Sequence, residues 1–282
     1  MNNGYHHKIR NLEFIVNKYE DSSEGVFDWG VERDNLFERF CSADELSNPE
    51  LAKHELKEII QEDPEFIDAY NRLGWWEIEF QNYGNAKSFF EKAFLIGKRL
   101  IPKNFDGEIM WGIIDNRPFL RAMYGLGVCY QLTHNNEKAL ELFDNILKYN
   151  ENDNQGARFL AIQSNLALGH FSKVIDICNK YDYDVSADTL YGRVLAYHKL
   201  ARFRKAQSSL KNAIEYLPLV AQELVKDRHN KIKGEYPGRI THGGEDEAYE
   251  YWERVGQFWT DPNLTTFLKE GIDLYTNKKR KN

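Results

Sequence analysis

One spacing constrains this chain more than any other feature. A small residue is followed four positions later by a large one, and three later by a second small or apolar one. The triplets are Ala52, Leu56, Ile59; Ala86, Phe90, Ala93; Ala139, Phe143, Ile146; a degenerate Val174, Cys178, Tyr181; and Ala206, Leu210, Ala213. Residues spaced by four and three lie on one face of an α-helix. Successive triplets start 32 to 35 residues apart, except that 53 residues separate Ala86 from Ala139, one period plus an insertion of 19. A repeat of that length is one helix pair, which cannot bury its apolar face alone and must stack on its neighbours.

Thirteen residues before the small residue stand Leu73-Gly74 and Leu126-Gly127, with Tyr130 after the second pair and Pro64 and Pro218 closing repeats. Gly84, Asn135-Asn136, Gly169 and Ala201 fall where the short turn inside each pair belongs. In these positions the chain resembles the tetratricopeptide (TPR) repeat. The expected fold is all-α, a right-handed TPR α-solenoid of about five helix pairs over 36–217, with the insertion at about 98–117. Residues 1–35 form an N-terminal cap segment, where Ile9, Leu12, Ile15 and Val16 make the apolar stripe of a cap helix. Residues 218–282 form a C-terminal helical capping module, with helices over "EAYEYWERVGQFW" and "PNLTTFLKEGIDLY".

Longer motifs extend the resemblance. "WGIIDNRPFLRA" at 111–122, "NDNQGARFL" at 152–160, "GGEDEA" at 243–248 and "WTDP" at 259–262 are similar in order to a largely uncharacterised group of bacterial TPR proteins, over about 50–268. The resemblance implies a TPR scaffold and brings no reaction, cofactor or ligand residues with it. Physically, Pro118 suits the first turn of a helix that Asn116 or Asp115 would cap, and Asp153 and Asn154 would cap one running from Gln155. Trp111, Ile113, Ile114 and Phe105 are too apolar for a dangling loop, so the insertion should be an ordered latch. Trp111→Ala should then cost a few kcal/mol.

Composition narrows the function. The net charge of −7 argues against nucleic acid as a partner, which needs a basic face. No run approaches the ~20 apolar residues of a membrane span, and the first thirty residues hold no signal core. Cys41, Cys129 and Cys178 are far apart and read as reduced thiols, which fits a cytoplasmic protein. No metalloprotease, phosphate-loop or nucleophile-elbow motif is present, so no catalytic residue, cofactor or metal is assigned. "HGGEDE" at 242–247 reads as a turn before an acid-rich helix start.

The expected function is a scaffold for an unknown protein or peptide, bound along the first helix of each repeat. One stripe of those helices offers Trp75, Tyr124, Phe159 and Tyr191, with Arg121, Gln163, His198 and Asp68 as polar neighbours; the alternative is that these rings pack against the adjacent helix or the chain's own C-terminal segment. The equivalent pairs Asn71/Trp75, Tyr124/Val128, Phe159/Gln163 and Tyr191/Leu195 cannot build the two-carboxylate clamp that holds chaperone tails. Arg117 and Arg121, four apart on one helix face, could form an anion contact, but the preferred reading is an internal salt bridge to Asp115 or Asp153 that fixes the insertion. Two other readings stand beside the scaffold. One is self-association into a homo-oligomer. The other is an enzyme or small-ligand binder near 98–121 and the 229–247 loop.

Overall fold

The structure is a computed structural model and describes residues 11–232 and 240–276. Ile9 and part of the 229–247 loop therefore lie outside the described residues. The chain divides into two compact units, Met1–Ala157 and Arg158–Asn282. The dividing point falls inside the 36–217 span that the repeat spacing groups as one array. The expected all-α helical-repeat class is what the structure shows. Among the described residues, no helix is long and apolar enough to cross a membrane.

The first unit contains three helix pairs: α1 (Asp34–Asp44) with α2 (Pro49–Glu62), α3 (Ile67–Glu79) with α4 (Tyr83–Lys98), and α5 (Arg117–Leu132) with α6 (Asn136–Tyr149). The second contains α7 (Ala157–Ala167), α8 (Phe171–Lys180), α9 (Ala187–Lys199) and α10 (Phe203–Tyr216), then α11 (Pro218–Leu224), α12 (Glu245–Val255) and α13 (Pro262–Thr276). All five triplets read from the sequence are buried.

The glycines show why the pattern works. A Cβ on Gly74 of α3 would sit 2.8 Å from the Phe90 ring, and one on Gly125 of α5 would sit 2.2 Å from it. Phe90 of α4 thus fills the space that two bare backbones leave. Phe143 of α6 does the same above Gly127, where a Cβ would lie 2.5 Å away. Interiors packed this tightly fix helix spacing by side-chain volume.

The turns inside four of the pairs, α3–α4, α5–α6, α7–α8 and α9–α10, repeat one geometry. Gln81, His134, Gly169 and Ala201 adopt φ of 59°, 58°, 73° and 55°. Each first helix then closes with a six-residue bond: Asn82 N–H donates to Glu77 O, Asn135 to Tyr130, His170 to Asn165 and Arg202 to Tyr197, at 2.8–2.9 Å. This left-handed closure satisfies carbonyls that the helix end would leave bare. Gly84 lies inside α4 rather than at the turn, where Gln81 takes the left-handed position.

The N-terminal cap helix is a correction. Strands β1 (Glu13–Lys18) and β2 (Ser23–Asp28) form an antiparallel hairpin with Phe14 opposite Phe27. Leu12, Phe14 and Val16 alternate with the more exposed Glu13, Ile15 and Asn17, a period of two that overrides the apparent helical stripe. Phe14 packs on Phe27 at 4.9 Å and on Phe105 of the insertion at 5.3 Å.

The insertion lies along β2. Gly25 N–H donates to Glu108 O at 2.7 Å, and Glu108 N–H donates to Ser23 O at 2.9 Å. Asn116 completes the join. Its Oδ1 accepts the Phe27 N–H at 3.1 Å, and its Nδ2 donates to Gly25 O and Met110 O. Asn116 therefore ties hairpin to insertion and makes no cap bond to α5, contrary to the capping expectation, because hairpin groups reach its side chain first. Pro118 does occupy the first turn of α5. At the other motif the helix starts at Ala157, not Gln155, with Asp153 Oδ1 accepting the Ala157 N–H at 2.7 Å.

Candidate functional site

In the first unit, α3 and α5 present the stripe that the repeat register selects. Asp68 and Trp75 stand two turns apart on α3, and Arg121 and Tyr124 one turn apart on α5. Side chains join the two helices along this face, among them Asn71, whose Nδ2 donates to the Pro118 carbonyl at 2.9 Å. Arg121 Nη1 donates to both Asp68 oxygens, at 2.9 and 3.1 Å, and the Trp75 and Tyr124 rings meet at 6.4 Å. Trp75 and Tyr124 are half-buried, each also touching a core phenylalanine, Phe90 at 5.3 Å and Phe143 at 6.1 Å.

The Arg-Pro motif extends the patch. Arg117 Nε donates to the Trp111 carbonyl at 3.0 Å. Its guanidinium carbon lies 5.3 Å from the Trp111 ring centroid, and that of Arg121 lies 5.6 Å away. An arginine over an indole face is held by the ring's negative quadrupole. An internal salt bridge does form at Arg121, but its partner is Asp68 rather than Asp115 or Asp153. Burial raises the Asp115 carboxyl, with Asp28 adding to it.

Trp111 is partly exposed and so less enclosed than the expected anchor of the latch. The latch is anchored instead by the buried Ile101 and Ile109, with Phe105 beside Tyr149 at 6.3 Å, while Ile114 is 70% exposed.

The second unit carries the same stripe in a different state. Tyr191 of α9 is fully buried, its hydroxyl donating to Leu217 O at 2.6 Å. Its ring packs against Tyr251 of α12 at 6.0 Å and Trp259 at 6.2 Å. Gln163 is buried and donates through Nε2 to Asp188 Oδ1 at 2.9 Å, while Arg254 of α12 donates to Asp188 Oδ2 at 2.8 Å. Burial raises the Asp188 carboxyl against the pull of Arg254 and Gln163.

His198 lies between Phe203 and Phe267 of α13, at 5.3 and 5.1 Å, and burial lowers its pKa. Phe159 is half-buried, with Arg158 over its ring at 4.2 Å. Tyr191 and Gln163 are thus corrected from groove residues to core residues, because α12 and the turn after it cover the face of α9. Asp188, Arg254 and Trp259, which build that cover, were absent from the sequence-derived site. A charged residue 66 positions from its partner carries no local signal.

In the 229–247 loop, His242 Nδ1 lies 3.3 Å from Glu247, and Asp246 accepts the Thr241 N–H at 2.8 Å. The acids here hold the turn that starts α12.

Among solved structures, YrrB, described as a TPR protein with an unusual peptide-binding site, is 22% identical over 67% of this chain and 86% of its own, with a TM-score of 0.48. No curated protein matches. The family that matches is not the bacterial group that the longer motifs resemble. Its description is "Transcriptional repressor TCF25" and its match runs over residues 32–282, so that the chain, with its repeated helix pairs, belongs to the Tcf25 family.

Proposed function

We propose that this chain is a non-catalytic scaffold that binds a protein or peptide on the α3–α5 face of its first unit, through Trp75, Tyr124, Arg121 and Arg117. One observation carries the reading. Trp75 and Tyr124 remain partly exposed as a joined aromatic pair, whereas Tyr191, at the equivalent place in the second unit, is sealed by the chain's own α12. Aromatic rings with a few fixed polar neighbours supply contact area at low entropic cost, as binding hot spots do. The family's description as a transcriptional repressor fits a chain that acts by contact with partners rather than by chemistry.

The test compares partners captured by the wild-type chain with those captured by Trp75→Ala/Tyr124→Ala, alongside thermal denaturation of both proteins. Loss of the captured set from a double variant that still melts cooperatively supports the α3–α5 face. An unchanged set removes it.

A further inference from the structure

We infer, resting on the scaffold reading above, that the partner is an acidic peptide whose carboxylate seats on Arg117 beside Trp111, with a large apolar residue on Trp75 and Tyr124. The asymmetry between the two arginines over Trp111 points to it. Arg121 is tied to Asp68 by two bonds from Nη1. Arg117 forms no ion pair among the described residues, and its hydrogen bond from Nε to the Trp111 carbonyl uses neither of the two terminal nitrogens. Those nitrogens are the fork that accepts a carboxylate in bidentate fashion. Because the indole and the carbonyl already orient the guanidinium, little further freedom is lost when a carboxylate arrives.

Charge complementarity fixes the class of partner. The chain as a whole is acidic, at −7. On this face the Asp68 carboxylate is nearly enclosed, at 7% side-chain exposure, and engaged by Arg121, which is itself 40% exposed. What a partner meets is cationic and aromatic. One unclaimed guanidinium matches one carboxylate, whereas a nucleic acid strand requires a row of cations to release its counterions.

Geometry adds a spacing. Arg117 and Tyr124 are seven residues apart on α5, about 10 Å along its axis. A polyproline II peptide, with three residues per turn and a rise of about 3.1 Å, sets residues three apart on one face at about 9 Å, so an acid and an aromatic residue three positions apart fit the face.

The experiment uses the full-length chain and a fluorescein-labelled decapeptide with one Asp and, three residues on, one Phe, otherwise Gly and Ser. Anisotropy titration of this probe, of its Asp→Asn counterpart and of the Asp probe against Arg117→Gln is compared. Replacing the carboxylate, or the guanidinium, is expected to weaken binding by roughly tenfold, the range of one charge-assisted hydrogen-bonded contact. The peptide comparison is made on wild-type protein and does not depend on the variant folding.

Equal affinity for the Asp and Asn peptides, or no binding of the Asp peptide, overturns the inference. So does displacement of the probe by a twelve-nucleotide uridine oligomer at equal or lower concentration, which would make the face a nucleic-acid site. If both peptides bind alike and both are lost in Trp75→Ala/Tyr124→Ala, the scaffold reading stands and the acidic partner falls.

Discussion

Arg33 and Asp63 form an enclosed ion pair, Nε to Oδ2 at 2.6 Å, with side-chain exposures of 1% and 4%. Arg33 also donates to the Trp29 carbonyl and reaches Glu65, whose Oε2 accepts the Leu12 N–H. The pair therefore joins the segment after the hairpin to the α2–α3 turn. Asp63→Ala removes the nearer carboxylate of a buried guanidinium, leaving Glu65, and should cost about 3 kcal/mol. Arg33→Met/Asp63→Leu, which removes both charges, should recover most of that. Urea denaturation of the three proteins measures both quantities. A double variant as unstable as the single one would show that the pair contributes through its other hydrogen bonds.

Opposite effects are expected from glycine exchanges in the first and second units. Gly125→Ala places a methyl group 2.2 Å from the Phe90 ring and should destabilise by about 1–3 kcal/mol through overpacking. Ala201→Gly relieves a left-handed backbone with φ of 55° and should stabilise by about 1 kcal/mol. Thermal melts of the two variants should shift in opposite directions.

Thiol reactivity should divide the three cysteines. Burial pushes the Cys129 and Cys178 thiols up to about 12, while Cys41 is exposed. Iodoacetamide at pH 8 should modify Cys41 in the folded protein and all three in denaturant, because the thiolate is the nucleophile. Peptide mass mapping after a short pulse reads the pattern. Native labelling of Cys178 would mean that the α8–α9 interface opens.

Acid should weaken the second unit through Asp184. Burial alone would raise this carboxyl, but the Arg158, Thr189 and Ser186 donors outweigh it and hold it below its ordinary 3.8. A carboxyl depressed in the folded state contributes stability above its unfolded pKa and loses it as pH falls through the folded one. Asp184→Asn should therefore cost about 1–2 kcal/mol at pH 7 and show a shallower loss of stability below pH 4 than the wild type. Chemical denaturation at a series of pH values gives both curves. Parallel curves would assign the acid limb to other carboxylates.

The helix pairs were legible because their information is local. A triplet such as Ala86, Phe90, Ala93 needs only one turn of helix on either side to declare its buried face. The hairpin was misread because Leu12, Ile15 and Val16 satisfy a helical stripe as well as a strand. The deciding signals were the Phe14–Val16 alternation and the "YEDSSEG" turn. Of the site, the stripe positions of Trp75 and Tyr124 followed from register alone. The fate of Tyr191 did not, since periodicity says which residues share a face and nothing about which distant segment covers it. Asp184 shows the same limit. No local pattern in the sequence marks it, yet it anchors the start of α9 through Ser186 and Thr189.

The cover over α9 has a thermodynamic meaning as well as a structural one. Because α12 is tethered to the face it occupies, it competes there at an effective concentration on the order of millimolar, however dilute the protein. A free ligand of equal intrinsic affinity gains access only in the fraction of molecules whose cover is displaced, and its apparent affinity falls by that fraction. Two faces built on one repeat pattern thus have unequal availability. Dilution, which weakens every contact with a separate partner, leaves the occupancy of α9 unchanged.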